Sequence, residues 1–328
     1  MILDHQEKPL ASWTGKDRVD GEIKDCLTII FKTGGCSWNR CLMCGYKFER
    51  HDKKDPVFLE KSILGQLEWI FNNYDTSKFS LIKIFTSGSF LDPVEVPENA
   101  IKKVMAGFAD KTVIFETRPE YVNEEILDEI SKIMKTDETG NKFYISMGLE
   151  TTDDSIREKC IDKGNTFEEF KEAGKTAGKF GAGIKTYLMM KPLFLTEKEA
   201  IDDMKISIEE SAPYSDLMSM NVCTVQSRTE VEQYWKRGAY RPAYLWSVLD
   251  VLLDAKIHVS CDPVGGGKKR GPHNCGACDR ELVEAINNYS LNADRDYLKA
   301  HFEKECRCKE EWKFVLENER PFCMPLSN

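Results

Sequence analysis

The chain has 328 residues, 41% of them apolar, a formal charge of -9 at neutral pH and twelve cysteines. That length accommodates one large α/β domain with a small appendage, and the apolar share is enough to bury a substantial core. The acidic balance argues against a domain that grips nucleic acid unaided, because Lys and Arg supply most non-specific affinity for phosphate.

An amino-terminal extension over residues 1–25 starts Met1-Ile-Leu-Asp-His-Gln-Glu, without a basic leader ahead of an apolar core. No apolar stretch anywhere reaches the roughly 18 residues of a membrane span. The expectation is a cytoplasmic protein with no membrane partner. Short apolar runs then recur at 27–31, 81–86, 112–116, 143–149, 184–190 and 217–223. Their content of Ile, Val, Phe and Tyr suits buried parallel strands. Between them, amphipathic patterns predict helices over 59–73, 100–109, 124–134, 167–180 and 198–211. In the fourth of these, Glu168, Glu169 and Glu172 lie near the start and Lys175 and Lys179 near the end, in agreement with the helix dipole.

Strand alternating with helix implies βαβ units with right-handed crossovers. The fold class read from this is α/β. Residues 26–242 fit a partial or complete (β/α)6 TIM-type barrel whose chemistry sits on loops at the carboxyl ends of the strands. From 243 to 328 the pattern changes to a helix over 244–253, a short strand over 256–260 and a glycine-rich, cysteine-bearing tail. We read this part as a small metal-binding extension.

Directly after the first strand comes Cys36-Ser-Trp-Asn-Arg-Cys41-Leu-Met-Cys44. Three thiolates on one short loop can hold a cubic 4Fe-4S cluster and leave one iron without a protein ligand, whereas an electron-transfer cluster usually takes four cysteines. A vacant iron can chelate S-adenosylmethionine and pass an electron to it, releasing a carbon radical. Structural zinc is the competing explanation, since thiolates at this spacing also suit zinc. It needs a fourth local ligand, and none precedes His51 in its charged run.

Other candidates lie at the ends of later strands. Phe85-Thr-Ser-Gly-Ser-Phe-Leu-Asp92 offers small residues whose backbone amides can approach a ligand closely. Glu116, in Glu116-Thr-Arg-Pro, and Glu150, in Gly148-Leu-Glu150, put a carboxylate at equivalent rim positions. Such a pair can accept charge-assisted hydrogen bonds from an α-ammonium and from ribose hydroxyls. Lys163 and Lys185 are weaker candidates for a cation facing a ligand carboxylate, since surface lysines are common. Lys268-Lys-Arg270 is the best basic strip, with a solvated loop as its commoner explanation.

In the tail, Cys275-Gly-Ala-Cys278 and Cys306-Arg-Cys308 make two close pairs, the arrangement of a structural four-thiolate zinc, with a second iron-sulfur cluster as the alternative. Cys261, His273 and Cys323 are possible substitute ligands. Cys26, Cys160 and Cys223 lie in apolar surroundings and are assigned to packing.

The cysteine loop, Ser87-Gly88-Ser89, Glu116-Thr-Arg-Pro, Gly148-Leu-Glu150 and Lys185-Thr-Tyr-Leu-Met together resemble the radical S-adenosylmethionine superfamily, near its branch with the Elongator catalytic subunit and the coproporphyrinogen dehydrogenases. Along nearly its full length, from Cys36 through Ser87–Asp92 to Arg270-Gly-Pro-His-Asn-Cys275-Gly-Ala-Cys278-Asp, the chain resembles the radical enzyme family of archaeosine biosynthesis (RaSEA). The resemblance implies a 4Fe-4S cluster on Cys36, Cys41 and Cys44. It also implies S-adenosylmethionine at the strand ends, with Ser87, Gly88 and Ser89 where the family's turn holds the methionyl amine and Glu116 and Glu150 at contact positions; Met43, Lys163 and Lys185 complete our set of candidate cofactor contacts. One departure is that four residues separate Cys36 from Cys41, against three in the commonest superfamily motif. That changes the loop and not the ligand count.

The reaction so implied is a C–N lyase step in tRNA modification. Position 15 of tRNA carries lysine joined to 7-cyano-7-deazaguanine, and cleavage leaves archaeosine. The partners implied are tRNA and the lysine-transferring archaeosine synthase. Two other readings stay open from residues alone: radical chemistry on another RNA base, a protein or a metabolite, and a non-enzymatic zinc-stabilised RNA-processing scaffold.

Overall fold

The computed structural model describes residues 7–135 and 142–320. Eight strands follow one another along one sheet in chain order: β1 (Ala11–Val19), β2 (Glu22–Ile30), β3 (Leu81–Phe85), β4 (Thr112–Thr117), β5 (Phe143–Glu150), β6 (Gly183–Met190), β7 (Leu217–Val222) and β8 (Ser260–Asp262). The main helices are α1 (Pro56–Asn73), α2 (Glu98–Gly107), α3 (Glu124–Met134), α4 (Phe167–Gly178), α5 (Glu197–Ser211), α6 (Glu230–Lys236), α7 (Leu245–Asp254), α8 (Asp279–Asn292), α9 (Arg295–Phe302) and α10 (Arg307–Asn318). The α/β class and the six expected strands, β2 to β7, are present. No helix among the described residues is long and apolar enough to cross a membrane.

The chain forms two compact units. One comprises Met1–Asn39, Tyr46–Gly148 and Glu168–Lys185; the other comprises Arg40–Gly45, Leu149–Phe167 and Thr186–Asn328. In the first, β2, β3, β4 and β5 run parallel, with Cys26 opposite Leu81, Leu81 opposite Thr112, and Val113 opposite Phe143. Ile82, Ile84, Val113, Phe115, Phe143 and Ile145 are fully buried, and Phe115 stacks on Phe143 with centroids 6.2 Å apart. Each such side chain contributes about 1.5–3 kcal/mol by leaving water. Leu59, Ile63, Leu67 and Ile70 give α1 its apolar stripe, and Asp55 caps it by accepting from Phe58 N at 2.9 Å.

Unexpected from sequence was β1, which pairs antiparallel with β2 from Ala11 opposite Ile30 to Val19 opposite Glu22. Asp20 (φ 52°) and Gly21 (φ 79°) turn the chain between them, a dipeptide suited to the doubly left-handed hairpin turn. On β1, Asp17 receives Lys83 at 2.8 Å and lies 3.9 Å from Lys185. Burial pushes the Asp17 carboxyl up, but the two ammonium groups outweigh it and hold the group below its usual range.

The second unit carries β7, parallel to β8 with Ser219 opposite Ser260. The short strand expected over 256–260 is replaced by β8. Ile257 stays 38% exposed after α7 ends, so the chain turns before sheet pairing can begin. Leu245, Trp246, Val248, Leu249, Val251 and Leu252 make α7 apolar nearly all round, and all are buried. Such a helix needs cover on several sides. It receives that cover from α5, α8 and α9, so the tail that reads as glycine-rich is largely helical.

Candidate functional site

In the first unit, the chain leaving β2 passes Thr33 and reaches Cys36, which is half-buried. A buried carboxylate, Glu95, organises this approach. Its Oε1 accepts from Thr33 Oγ1 at 2.7 Å, its Oε2 accepts from Ser89 N at 2.6 Å, and its carbonyl accepts from Gly34 N at 3.1 Å. Glu95 is fully buried, and burial pushes its carboxyl above the ordinary range while the donors from Thr33, Ser89 and Thr86 oppose that rise. Ser37, on the other side of Cys36, donates to Asp92, itself 1% exposed. The cysteine segment and the turn after β3 are therefore tied together at both flanks.

Gly88 explains why the turn needs a residue without a side chain. A Cβ there would lie 2.5 Å from Cys36 Cα and 2.5 Å from Glu95 Oε2. Three amides of the turn are engaged within the protein: Thr86 N donates to Glu116 Oε1 at 2.8 Å, Gly88 N to Thr86 Oγ1 at 3.1 Å, and Ser89 N to Glu95. Both serine hydroxyls are engaged as well, Ser87 Oγ donating to Glu49 O and Ser89 Oγ accepting from Arg118 N. Among the described residues, the carbonyl oxygens of Ser87 and Gly88 accept no hydrogen bond. The turn thus keeps backbone acceptors, the carbonyls of Ser87 and Gly88, that the described residues leave unused. Arg118 also lies 5.2 Å over the ring of Trp38.

Lys185 is the third residue of β6, at the opposite end of that strand from its carboxyl terminus. Its ammonium faces Asp17, as described above.

In the second unit, the segment with Cys41 and Cys44 is moored along its length. Leu42 N donates to Ile161 O at 2.9 Å, Leu42 O accepts from Glu230 N at 3.0 Å, and Gly45 N donates to Gln226 Oε1. Met43 packs on Ile156, Cys160, Ile161 and Leu195, and on Leu193, Cys223 and Val225. Cys160 and Cys223, like Cys26 in the first unit, are 2% exposed, as their assignment to packing requires. Burial first of all pushes the Cys160 thiol up to about 12 and the Cys223 thiol up to about 11, away from thiolate chemistry.

Glu150 closes β5 at a positive φ of 67°, and Thr151 N reaches back to Leu149 O at 2.9 Å, making a three-residue turn about it. A non-glycine residue pays roughly 1–3 kcal/mol for such a conformation, which persists only when its surroundings enforce it. Arg157 does so. With its side chain 1% exposed, it donates through Nε to Leu149 O at 2.9 Å and through Nη2 to Thr151 O, gripping both flanks of Glu150. The Glu150 carboxylate pairs with Lys163 Nζ at 2.7 Å. The two charges expected to face a ligand separately instead compensate each other in a nearly buried pair. Neither Glu95 nor Arg157 was legible as a site residue, because their partners lie on other loops.

The tail brings Cys275, Cys278, Cys306 and Cys308 together, all four sulfurs lying within 4.8 Å of one another. Neighbouring sulfurs stand 3.9 Å (275–278), 3.7 Å (275–306), 3.6 Å (278–308) and 3.4 Å (306–308) apart. Trp246 Nε1 donates to Cys308 Sγ at 3.2 Å and Asn274 Nδ2 to Cys278 Sγ at 3.4 Å. Cys261 and His273 are outside this group: Cys261 is buried on β8, and His273 Nδ1 is engaged by Gly271 O at 2.8 Å. Cys323 lies outside the described residues.

The model of the radical SAM superfamily matches residues 30–206. The chain is 42% identical to archaeosine synthase subunit beta of Methanosarcina acetivorans, over 95% of this chain and 91% of that protein. It is 34% identical to archaeosine synthase subunit beta of Thermococcus kodakarensis, over 93% of this chain and 96% of the other. Among solved structures, methylornithine synthase superposes with a TM-score of 0.50 at 14% identity, covering 88% of this chain and 80% of that one. That likeness concerns the fold alone.

Proposed function

Because the chain belongs to the radical SAM superfamily and to the family of archaeosine synthase beta subunits, we propose that it completes archaeosine on tRNA as a radical C–N lyase. It would act on the lysine adduct of 7-cyano-7-deazaguanine, with the lysine-transferring synthase as partner. Membership implies S-adenosylmethionine and a 4Fe-4S cluster. When bound and reduced by one electron, these supply a carbon-centred radical that can take hydrogen from an unactivated C–H bond. A lysine methylene has no acidity for a general base to exploit, so proton transfer cannot begin this cleavage. Breaking the bond between the lysine side chain and its ε-nitrogen leaves the formamidine of archaeosine.

The residue types suit that cofactor, since three thiolates are the ligand count of a cluster that keeps one iron open. Cys36, Cys41 and Cys44 would hold the cluster. The carbonyls of Ser87 and Gly88 are acceptors of the kind an α-ammonium requires, and Glu116 adds a carboxylate on the neighbouring strand. In the second unit, Glu150 in its enforced turn with Lys163, and Met43, are kept as candidate cofactor contacts on the strength of the family. We leave Lys185 out of this set, since it lies on β6 away from the strand's carboxyl end and faces Asp17 on β1. The observation that carries the reading is the cage in which Glu95 joins the Cys36 segment to the Ser87–Ser89 turn across Gly88. Such a cage would keep the Cys36 segment and the turn in one fixed arrangement, as a site held to within about half an ångström needs.

For the tail we propose one structural zinc. A single ion with four bonds of about 2.3 Å sets sulfurs about 3.8 Å apart in a regular tetrahedron. Four of the six separations, 3.4–3.9 Å, bracket that value, and all six lie within 4.8 Å. Thiolates on a cubic cluster bind four different irons and stand farther apart. The donors from Trp246 and Asn274 are the N–H groups that a metal-bound thiolate attracts.

The direct test is an anaerobic assay with lysine-bearing tRNA, following 5'-deoxyadenosine and the modified nucleoside together. Coupled appearance is expected. Sustained 5'-deoxyadenosine formation with an unchanged nucleoside would overturn the assignment. A narrower expectation concerns the cage: Gly88→Ala should lower turnover at least about a hundredfold, because an ångström of misplacement near reacting groups costs that much. Iron content and the cluster's electron paramagnetic spectrum should shift with it. An alanine variant with wild-type kinetics would show that the cage does not position the ligand.

A further inference from the structure

We propose that the segment over 226–238, a loop with the short helix α6, and the loop over 264–271, both in the second unit, form one surface that docks the phosphate backbone of the tRNA beside the cysteine segment. This rests on the reading of tRNA as substrate and locates its contact surface. The two loops carry six basic residues, Arg228, Lys236, Arg237, Lys268, Lys269 and Arg270, against two acids, Glu230 and Glu232. That is a local excess of four positive charges in a chain of net charge -9. Phosphate neutralisation needs such a concentration, whatever the total.

Arg270 joins the loops. Its Nη1 donates to Val225 O at 3.0 Å, its carbonyl accepts from Val225 N at 2.8 Å, its Nη2 pairs with Glu232, and its guanidinium lies 4.9 Å over the ring of Trp235. Glu232 is thus consumed by Arg270 and by Lys236 at 3.1 Å. Arg237, Lys268 and Lys269 are exposed and make no ion pair among the described residues.

The 264–271 loop is wound rather than loose. Gly267 N donates to Pro272 O at 2.9 Å, Gly271 N to Lys268 O at 2.9 Å, and a Cβ on Gly271 would lie 2.4 Å from Gly265 O. A wound loop presents Lys268 and Lys269 with little ordering entropy left to lose on binding. The surface adjoins the chemistry because Gln226 Oε1 accepts from Gly45 N and Glu230 N donates to Leu42 O, on the stretch between Cys41 and Gly45.

The test is the triple substitution Arg237→Gln, Lys268→Gln, Lys269→Gln in the full cluster-bearing protein, titrated with lysine-bearing tRNA over a range of salt. Affinity should fall at least about tenfold. The slope of log affinity against log salt should shrink by about two to three, since each lost phosphate contact removes roughly 0.7–0.9. Reductive cleavage of S-adenosylmethionine without tRNA, and the melting temperature, should be unchanged. If the wild type binds tRNA and the triple variant binds equally well with the same slope, the docking surface is elsewhere while the functional reading survives. A wild type with no tRNA affinity, alone or with its partner subunit, overturns both. A variant that binds tRNA normally but no longer associates with the partner subunit also overturns the RNA assignment, because the surface would then be a protein interface.

Discussion

Cys41→Ala is expected to yield protein without iron at the first site and without detectable 5'-deoxyadenosine formation. Three cysteines are the minimum for a cluster that must keep one iron open, so losing one leaves two, below what holds the cubane. No relaxation of the segment can supply a substitute. Leu42 is bonded to Ile161 and Glu230, and Gly45 to Gln226, so the stretch keeps its course whether or not metal is bound. For the same reason the fold should survive. Cys41 is half-buried and outside the apolar clusters that Leu42 and Met43 join, so the melting temperature of the metal-free proteins should agree within a few degrees. Iron analysis, the visible spectrum and product chromatography on anaerobic protein read this out. An alanine variant with a full complement of iron and measurable cleavage would mean that Cys41 is not a ligand.

The contrast between what the sequence revealed and what it hid has a physical basis. Strands β2 to β7 were legible because buried parallel strands are short unbroken apolar runs, and α3 was located to the residue because Asn123 caps its start. β1 escaped because Ala11–Val19 carries polar and charged residues along an exposed, antiparallel edge, where an apolar run is not required. The Asp20-Gly21 turn was the available signal. The tail helices escaped because glycines and cysteines dominate the first impression, while the apolar helix α7 that demands their cover lies upstream. At the site, the cysteines and the Ser-Gly-Ser turn are contiguous in sequence and therefore readable. Glu95 and Arg157 act on groups that chain connectivity does not reveal: Glu95 reaches back to Thr33, and Arg157 holds carbonyls on both sides of a strained residue. Which backbone groups of the turn are engaged also depended on partners elsewhere in the chain, Glu95 and Glu116.

Cys308→Ala is expected to destabilise the second unit on the order of 5 kcal/mol, with loss of the tail metal. The figure lies below the roughly 10–16 kcal/mol that a structural zinc supplies to a small finger, because three thiolates and the helix packing remain. The cost arises in two places. Cys278 and Cys308, 3.6 Å apart, cannot both ionise without a cation between them, and burial first of all pushes both thiols up, Cys308 to about 11. Removing the metal therefore leaves partly buried thiols against one another, and the Trp246 indole N–H loses its acceptor in the Cys308 variant. The helices that a metal there would pin would lose their anchor: Cys278 precedes α8, and Cys306 precedes α10. Fraying of α8 and α9 would expose α7, whose Trp246, Leu249 and Leu252 are fully buried. Zinc and iron per chain, measured by mass spectrometry alongside thermal melting, test this. Wild type should hold one zinc with about four irons, and the variant should lose the zinc first. Cys261→Ala, which removes an equally buried thiol outside the metal group, should cost only about 1 kcal/mol and leave zinc in place. If Cys308→Ala keeps its zinc, or melts no lower than Cys261→Ala, the four cysteines are not the metal anchor of this unit and α7 must be held by helix packing alone.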